Sequence, residues 1–125
     1  MNLDLVFEPF WDYRIIKCEY DSLNSIATLF IQNPESYVNH EIRFSHVSLY
    51  LFLQNWDNKF LYDSFNELSS ISFGREFIES KNIKQKWLKQ YSLDFNVVIE
   101  IIRSTLLIKA ETVDVDGIRY NLEEL

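Results

Sequence analysis

Glycine and proline are scarce in this 125-residue chain, with two of each. Two glycines leave little room for a loop that cradles phosphates, and the sequence holds no Gly-x-Ser-x-Gly elbow, no Rossmann fingerprint and no Cys-x-x-Cys pair. With two prolines, no low-complexity run and no repeat at solenoid periods, nothing serves as a linker, so residues 1–125 read as a single domain. The lone Cys18 excludes an intramolecular disulfide. Cations are also few: 12 Lys and Arg stand against 19 Asp and Glu, a formal charge of −7. That field repels nucleic-acid phosphates and anionic membrane surfaces and favours a basic partner. No apolar run approaches the ~18–20 residues of a membrane span. The start, Met1-Asn2-Leu3-Asp4, lacks a positive region leading into an apolar stretch, so a cytoplasmic location is expected.

What the chain does hold is apolar residues in β-patterned runs, 47% hydrophobic and 16% aromatic overall, ample for one core. Residues 3–8 and 12–20 read as strands interrupted at Pro9, and Asp21-Ser22-Leu23-Asn24 supplies a turn. Within the second run, alternation puts Cys18 on a face with Ile16 and Tyr20, as a buried and inert thiol. Residues 25–32 alternate with Ala27, Leu29 and Ile31 on one face, up to a turn at Asn33-Pro34-Glu35-Ser36. These three runs predict a meander.

Two changes of phase follow. Ile42 and Phe44 share one parity and Val47, Leu49, Leu51 and Leu53 the other, which requires a bulge or sharp bend at Ser45-His46. In the same way Leu106, Ile108 and Ala110 give way to Val113 and Val115, predicting a second irregularity near Glu111-Thr112. Asp116-Gly117 marks a tight hairpin. The β-branched run within residues 95–103 reads as a buried strand. Ser80 caps an apolar stripe of Ile83, Trp87, Leu88 and Tyr91 at helical spacing. The expected fold is therefore mainly β to α+β, an antiparallel sheet or sandwich with one short helix near residues 80–91.

Few constellations carry chemistry. Counted from Thr112, Asp114, Asp116, Gly117 and Glu123 fall at positions 3, 5, 6 and 12 of a calcium loop. Thr at position 1, Arg119 at position 8 and a β-patterned approach oppose that reading, leaving a hairpin with solvated carboxylates. His40 and His46 lie too far apart on an extended strand to share one ion, so neither a metal nor a cofactor is expected. Glu100 sits in an apolar run, where a buried carboxylate serves as a general acid or base only with a partner, and the sequence places none beside it. Lys81, Lys84, Lys86 and Lys89, with Trp87 and Tyr91, read as the polar face and apolar stripe of the helix rather than a nucleic-acid contact. Trp11, Tyr13, Tyr50, Trp56 and Tyr62 belong mostly to the core, and any left exposed is a natural interface anchor.

The stretch Glu41-Ile42-Arg43-Phe44-Ser45-His46-Val47, with residues 104–110 and Gly117-Ile118-Arg119-Tyr120, resembles small uncharacterised bacterial proteins of the Bacillus type. Some of these are encoded near contact-dependent toxin genes, which implies an immunity-like role. The resemblance carries strand texture and no catalytic motif.

The expected function is thus a non-catalytic binding protein, an immunity-like inhibitor of a basic toxin domain. Glu111, Asp114, Asp116, Glu123 and Glu124 are the candidate partner-binding residues, five carboxylates within fourteen positions opposed there by Arg119 alone. Two alternatives stand beside it: a small enzyme with a carboxylate site at Glu100 or the last hairpin, and a homo-oligomer pairing through an exposed sheet edge.

Overall fold

The predicted meander exists, displaced by one element along the chain. In the computed structural model β1 (Arg14–Asp21), β2 (Ile26–Gln32) and β3 (Asn39–Ser45) pair in succession, all antiparallel. The structure describes residues 3–54, 68–73, 95–101 and 104–122. The helix expected at residues 80–91, the lysine cluster on it, Trp56, Tyr62, Glu123 and Glu124 lie outside the described residues.

Residues 3–8 are not a strand. Leu3–Phe7 form an α-helical turn, α1, and Glu8–Phe10 a 3-10 turn with Pro9 in its opening positions, where a missing N–H costs nothing. The apolar residues that matter here are Leu3, Phe7 and Phe10, at helical spacing and all buried, while Leu5, which alternation would also bury, is 64% exposed. A short run satisfied both periods, and the helical one fits the core.

Both turns around β2 are built by side chains. Asp21 Oδ1 accepts the N–H groups of Leu23 and Asn24 at 3.0 and 3.2 Å, and Asn33 Oδ1 accepts those of Glu35 and Ser36 at 2.8 and 3.2 Å. Strand β1 carries a bulge between Ile15 and Lys17 that alternation did not reveal. It turns Ile16 outward, 54% exposed, and puts Cys18 and Tyr20 in phase with buried Ile15. Cys18 therefore keeps an inward, partly buried position without sharing a face with Ile16. Burial pushes its thiol up to about 11, which keeps it protonated.

Each predicted change of phase is a change of sheet. After Ser45, His46 takes a positive φ of 54° and the chain leaves for β4 (Leu49–Gln54), the edge of a second sheet. That sheet has the order β4-β7-β6-β5, with β5 (Leu68–Phe73), β6 (Val97–Ile101) and β7 (Ser104–Lys109). The chain returns after Lys109 to β8 (Thr112–Val115) and β9 (Ile118–Asn121), which complete the first sheet in the order β1-β2-β3-β8-β9. Asn96 holds this return, its Nδ2 donating to the Ala110 carbonyl at 2.8 Å and its Oδ1 accepting the Ala110 N–H at 3.1 Å. Glu111 N–H donates to the Ser45 carbonyl at 3.1 Å, so the two crossings lie side by side.

The core lies between the sheets. Ala27, Leu29, Ile31, Ile42, Phe44, Val113 and Val115 from the five-stranded sheet meet Ile71, Val97, Ile99, Ile101, Leu106 and Ile108 from the four-stranded one. Leu3, Phe7 and Phe10 close one part of this core, and backbone bonds from Asp12 N–H to Leu68 O, 2.8 Å, and from Leu68 N–H to Tyr13 O, 2.9 Å, tie the N-terminal segment to β5. Tyr20 of β1 and Tyr50 of β4 touch with ring centroids 4.6 Å apart, joining the two sheets at their edge strands. Burial, followed by the proximity of Cys18, raises the Tyr50 phenol. No helix among the described residues is long and apolar enough to cross a membrane.

Candidate functional site

The outward face of the five-stranded sheet is a row of charges set by register. Arg43 lies opposite Asp114, and Asp114 opposite Arg119, so alternating signs cross β3, β8 and β9. Arg119 grips Asp114 through two bonds, Nε to Oδ1 at 2.9 Å and Nη2 to Oδ2 at 3.2 Å. The carboxylate in turn raises the Arg119 guanidinium. Arg43 Nη2 reaches Glu41 Oε1 at 2.6 Å along the same strand, and Lys17 pairs with Glu19 on β1.

At one end of this row the β8–β9 hairpin turns at Asp116-Gly117, with φ values of 50° and 90°. Two consecutive positive φ angles make the tight turn whose twist suits a hairpin, which is why Asp-Gly stands there. The turn folds back beside β3. Asp116 N–H donates to the Glu41 carbonyl and Asp116 Oδ1 accepts the Glu41 N–H, both at 3.0 Å. Asp116 Oδ2 meets His40 Nδ1 at 2.6 Å. Burial works to raise the Asp116 carboxyl, but the hydrogen bonds from His40 and the Glu41 N–H, together with the His40 charge, outweigh it and hold it below the ordinary carboxylate value.

Glu41, Arg43, Asp114, Asp116 and Gly117 thereby line an open cleft of about 260 Å³. Three carboxylates face one guanidinium across it. Each carboxylate also has a basic side chain beside it, Glu41 with Arg43, Asp114 with Arg119 and Asp116 with His40. A second cleft, about 280 Å³, is mixed in character and is lined by Ile15, Ile16, Lys17, Cys18, Phe52, Ile101 and Ser104.

The residues expected to bind a partner separate. Asp114 and Asp116 line the charged cleft, whereas Glu111 is exposed at the opposite end of β8, about 15 Å along the strand from Asp116. Glu123 and Glu124 lie outside the described residues. Glu41 and Arg43 were not foreseen as neighbours of the hairpin. No local spacing links β3 to a turn some 75 positions later, although the parity of Ile42 and Phe44 fixed Glu41 and Arg43 as outward-facing.

His40 and His46 sit at opposite ends of β3, His40 half-buried on its core-facing side and His46 exposed in the bend. Among the described residues, no group of three or more His, Cys, Asp or Glu is placed to hold a metal ion. The would-be calcium residues Asp114 and Asp116 are bonded to Arg119 and His40 on a β-hairpin. Glu100 is half-buried in β6, in register with Ser70 and Thr105. Of the aromatic candidates for an interface, Trp11 is 41% exposed, and Tyr13 and Tyr50 are half-buried.

Two antiparallel sheets over a common core, with a charged cleft at the turn of the last hairpin, define the protein as a β-sheet domain with an open polar face. A family model described as YxiG-like protein matches residues 3–120, and the chain belongs to the YxiG-like family. No curated protein and no solved structure matches it.

Proposed function

We propose that this YxiG-like protein is a non-catalytic binding protein that engages a basic protein partner through the cleft of Glu41, Asp114 and Asp116. The favoured partner is the toxin domain that an immunity-like inhibitor would block. The observation that carries the reading is the lining of the cleft, three carboxylates held by the exchangeable surface partners Arg43, Arg119 and His40, on a chain of net charge −7. An acidic recess on an acidic protein steers a cationic surface toward it and fits one Lys or Arg side chain.

The hairpin suits this role mechanically. Its turn is fixed by two bonds to Glu41 and one to His40, so the carboxylates are held in place before a partner arrives. Asp114 is shared with Arg119, so the partner's cation competes with a surface pair of small net strength.

The test is the association rate with the basic product of a neighbouring toxin gene at two salt concentrations. Glu41→Lys with Asp114→Lys should slow association at least about tenfold at low salt, with a smaller effect at high salt as screening removes the field. Association unchanged at both salts rejects the cleft as the interface.

A further inference from the structure

Asp116 faces two ways. Its carboxylate lines the charged cleft, and its Oδ2 also bonds His40 Nδ1 at 2.6 Å. The His40 ring lies against the N-terminal segment, with centroids 5.0 Å from Phe10 and 5.8 Å from Tyr13. Those two residues flank the stretch that pairs with β5 of the other sheet, where Asp12 N–H donates to Leu68 O and Leu68 N–H to Tyr13 O. Asn33 Nδ2 adds a bond to the Tyr13 hydroxyl at 2.9 Å. His40 therefore forms a side-chain path from the cleft to the N-terminal segment.

We infer that the Asp116–His40 contact couples the cleft to the attachment of the N-terminal segment, so that a cation bound at Asp116 loosens residues 11–13 from β5. The coupling by a bound cation rests on the proposed binding role. The path through His40 does not.

The physical basis is competition for one carboxylate. Asp116 Oδ1 already accepts the Glu41 N–H and Oδ2 is engaged with His40, so a guanidinium or ammonium that closes on Asp116 draws on the same oxygens. Weakening the His40 bond frees a half-buried ring whose orientation supports Phe10 and Tyr13. Linkage makes the effect reciprocal: a segment held firmly against His40 disfavours the cation, and a loosened one favours it. Asp114 makes a useful contrast, because it lines the same cleft yet its carboxylate is bonded to Arg119.

The experiment is amide exchange of the full chain at Asp12 and Tyr13, whose N–H groups donate to Leu68 O and Phe10 O. Asp116→Gly removes the carboxylate and keeps a residue that tolerates the positive φ of the turn. It should speed exchange at both amides about threefold or more, as a local opening below the global unfolding free energy does. Should that variant fail to fold, Asp116→Asn, which also accepts this backbone, should show the same effect more weakly.

In a His40→Phe background, which keeps a ring against Phe10 and Tyr13 but cannot bond Asp116, the Asp116 substitution should leave the two amides unchanged. Asp114→Ala should not move them in either background. Equal acceleration with and without His40, or changes confined to the hairpin, overturns the coupling.

A hexa-arginine peptide then serves as the cationic probe. Binding that shifts the Gly117 amide and speeds exchange at Asp12 and Tyr13 supports coupling by occupancy, and binding without that acceleration overturns it. Failure of the peptide to bind at millimolar concentration strikes the cationic-partner reading, while the His40 cycle still decides whether the path exists.

Discussion

The two sheets have the same antiparallel pairing and opposite surroundings. In the five-stranded sheet β2 alternates strictly, Ala27, Leu29 and Ile31 buried and their neighbours half-exposed, and its outward face carries Lys17, Glu19, Glu41, Arg43, Asp114 and Arg119. In the four-stranded sheet consecutive residues are buried, Val97, Val98 and Ile99 in β6 and Leu106, Leu107 and Ile108 in β7. Val98 and Leu107 pair with each other on the face turned away from the inter-sheet core and are 2% and 0% exposed. That sheet is covered on both sides. A sheet covered twice is scaffold, whereas one with a solvated face is free to carry a site, and the charged cleft lies on the second kind.

Removing a side chain from each sheet's second face sharpens this comparison most. Leu107→Ala should cost about 2–5 kcal/mol in urea unfolding, as a fully buried leucine does. Arg43→Ala, on the outward face of the other sheet, should cost under about 1 kcal/mol. Losses of similar size would erase the distinction. Next in size is Gly117→Ala, at about 1–2 kcal/mol. An added Cβ there meets nothing within 4 Å, so the cost is the φ of +90° alone. A neutral result in thermal unfolding would mean that the hairpin turn relaxes easily.

The acid limb of stability separates the sheets more finely. Asp116 has its folded pKa lowered, so its contribution is present above the unfolded carboxylate value and is lost as pH falls through the lower folded one. Wild type should lead Asp116→Asn near neutrality, and the gap should close as pH falls below the ordinary Asp range. A gap that persists at the acid end would assign the loss to something other than the ionised carboxylate. The smallest effect on stability concerns Cys18, whose thiol is raised from 9.0 to about 11. At pH 8 that means about 100-fold less thiolate than in the unfolded chain, so alkylation by iodoacetamide should be slow in the native protein and fast in denaturant. Equal rates would mean that β1 does not bury the thiol.

The sequence carried the long-range plan further than the local details. A break in period two at Ser45-His46 and at Glu111-Thr112 marked the two places where the chain changes sheet, because a residue must be inserted for the apolar side to find the same core from the other layer. The Asp-Gly turn was legible for a similar reason, since few residue pairs accept two positive φ angles. The N-terminal helical turns were not: Leu3 to Phe10 fits both periods, and tertiary burial of Leu3, Phe7 and Phe10 chose between them. The bulge at Ile16 left no mark, because its neighbours Ile15, Lys17 and Cys18 read equally well as an unbroken alternation.

The candidate site was half legible. Asp114 and Asp116 stood out by charge and by the adjacent glycine, and both line the cleft. Glu41 and His40 reach the hairpin only because β3 and β8 are sheet neighbours, a pairing fixed by the whole topology and by no spacing along the chain.

The most direct test of the claim that the solvated sheet carries the binding surface is a map of amide chemical shifts in the full chain as the basic neighbouring-gene product is added. The account predicts perturbation at Glu41, Arg43, Asp114, Asp116 and Gly117, with Val97–Ile101 of the doubly covered sheet unmoved. Perturbation centred on the four-stranded sheet, with the hairpin silent, would contradict it.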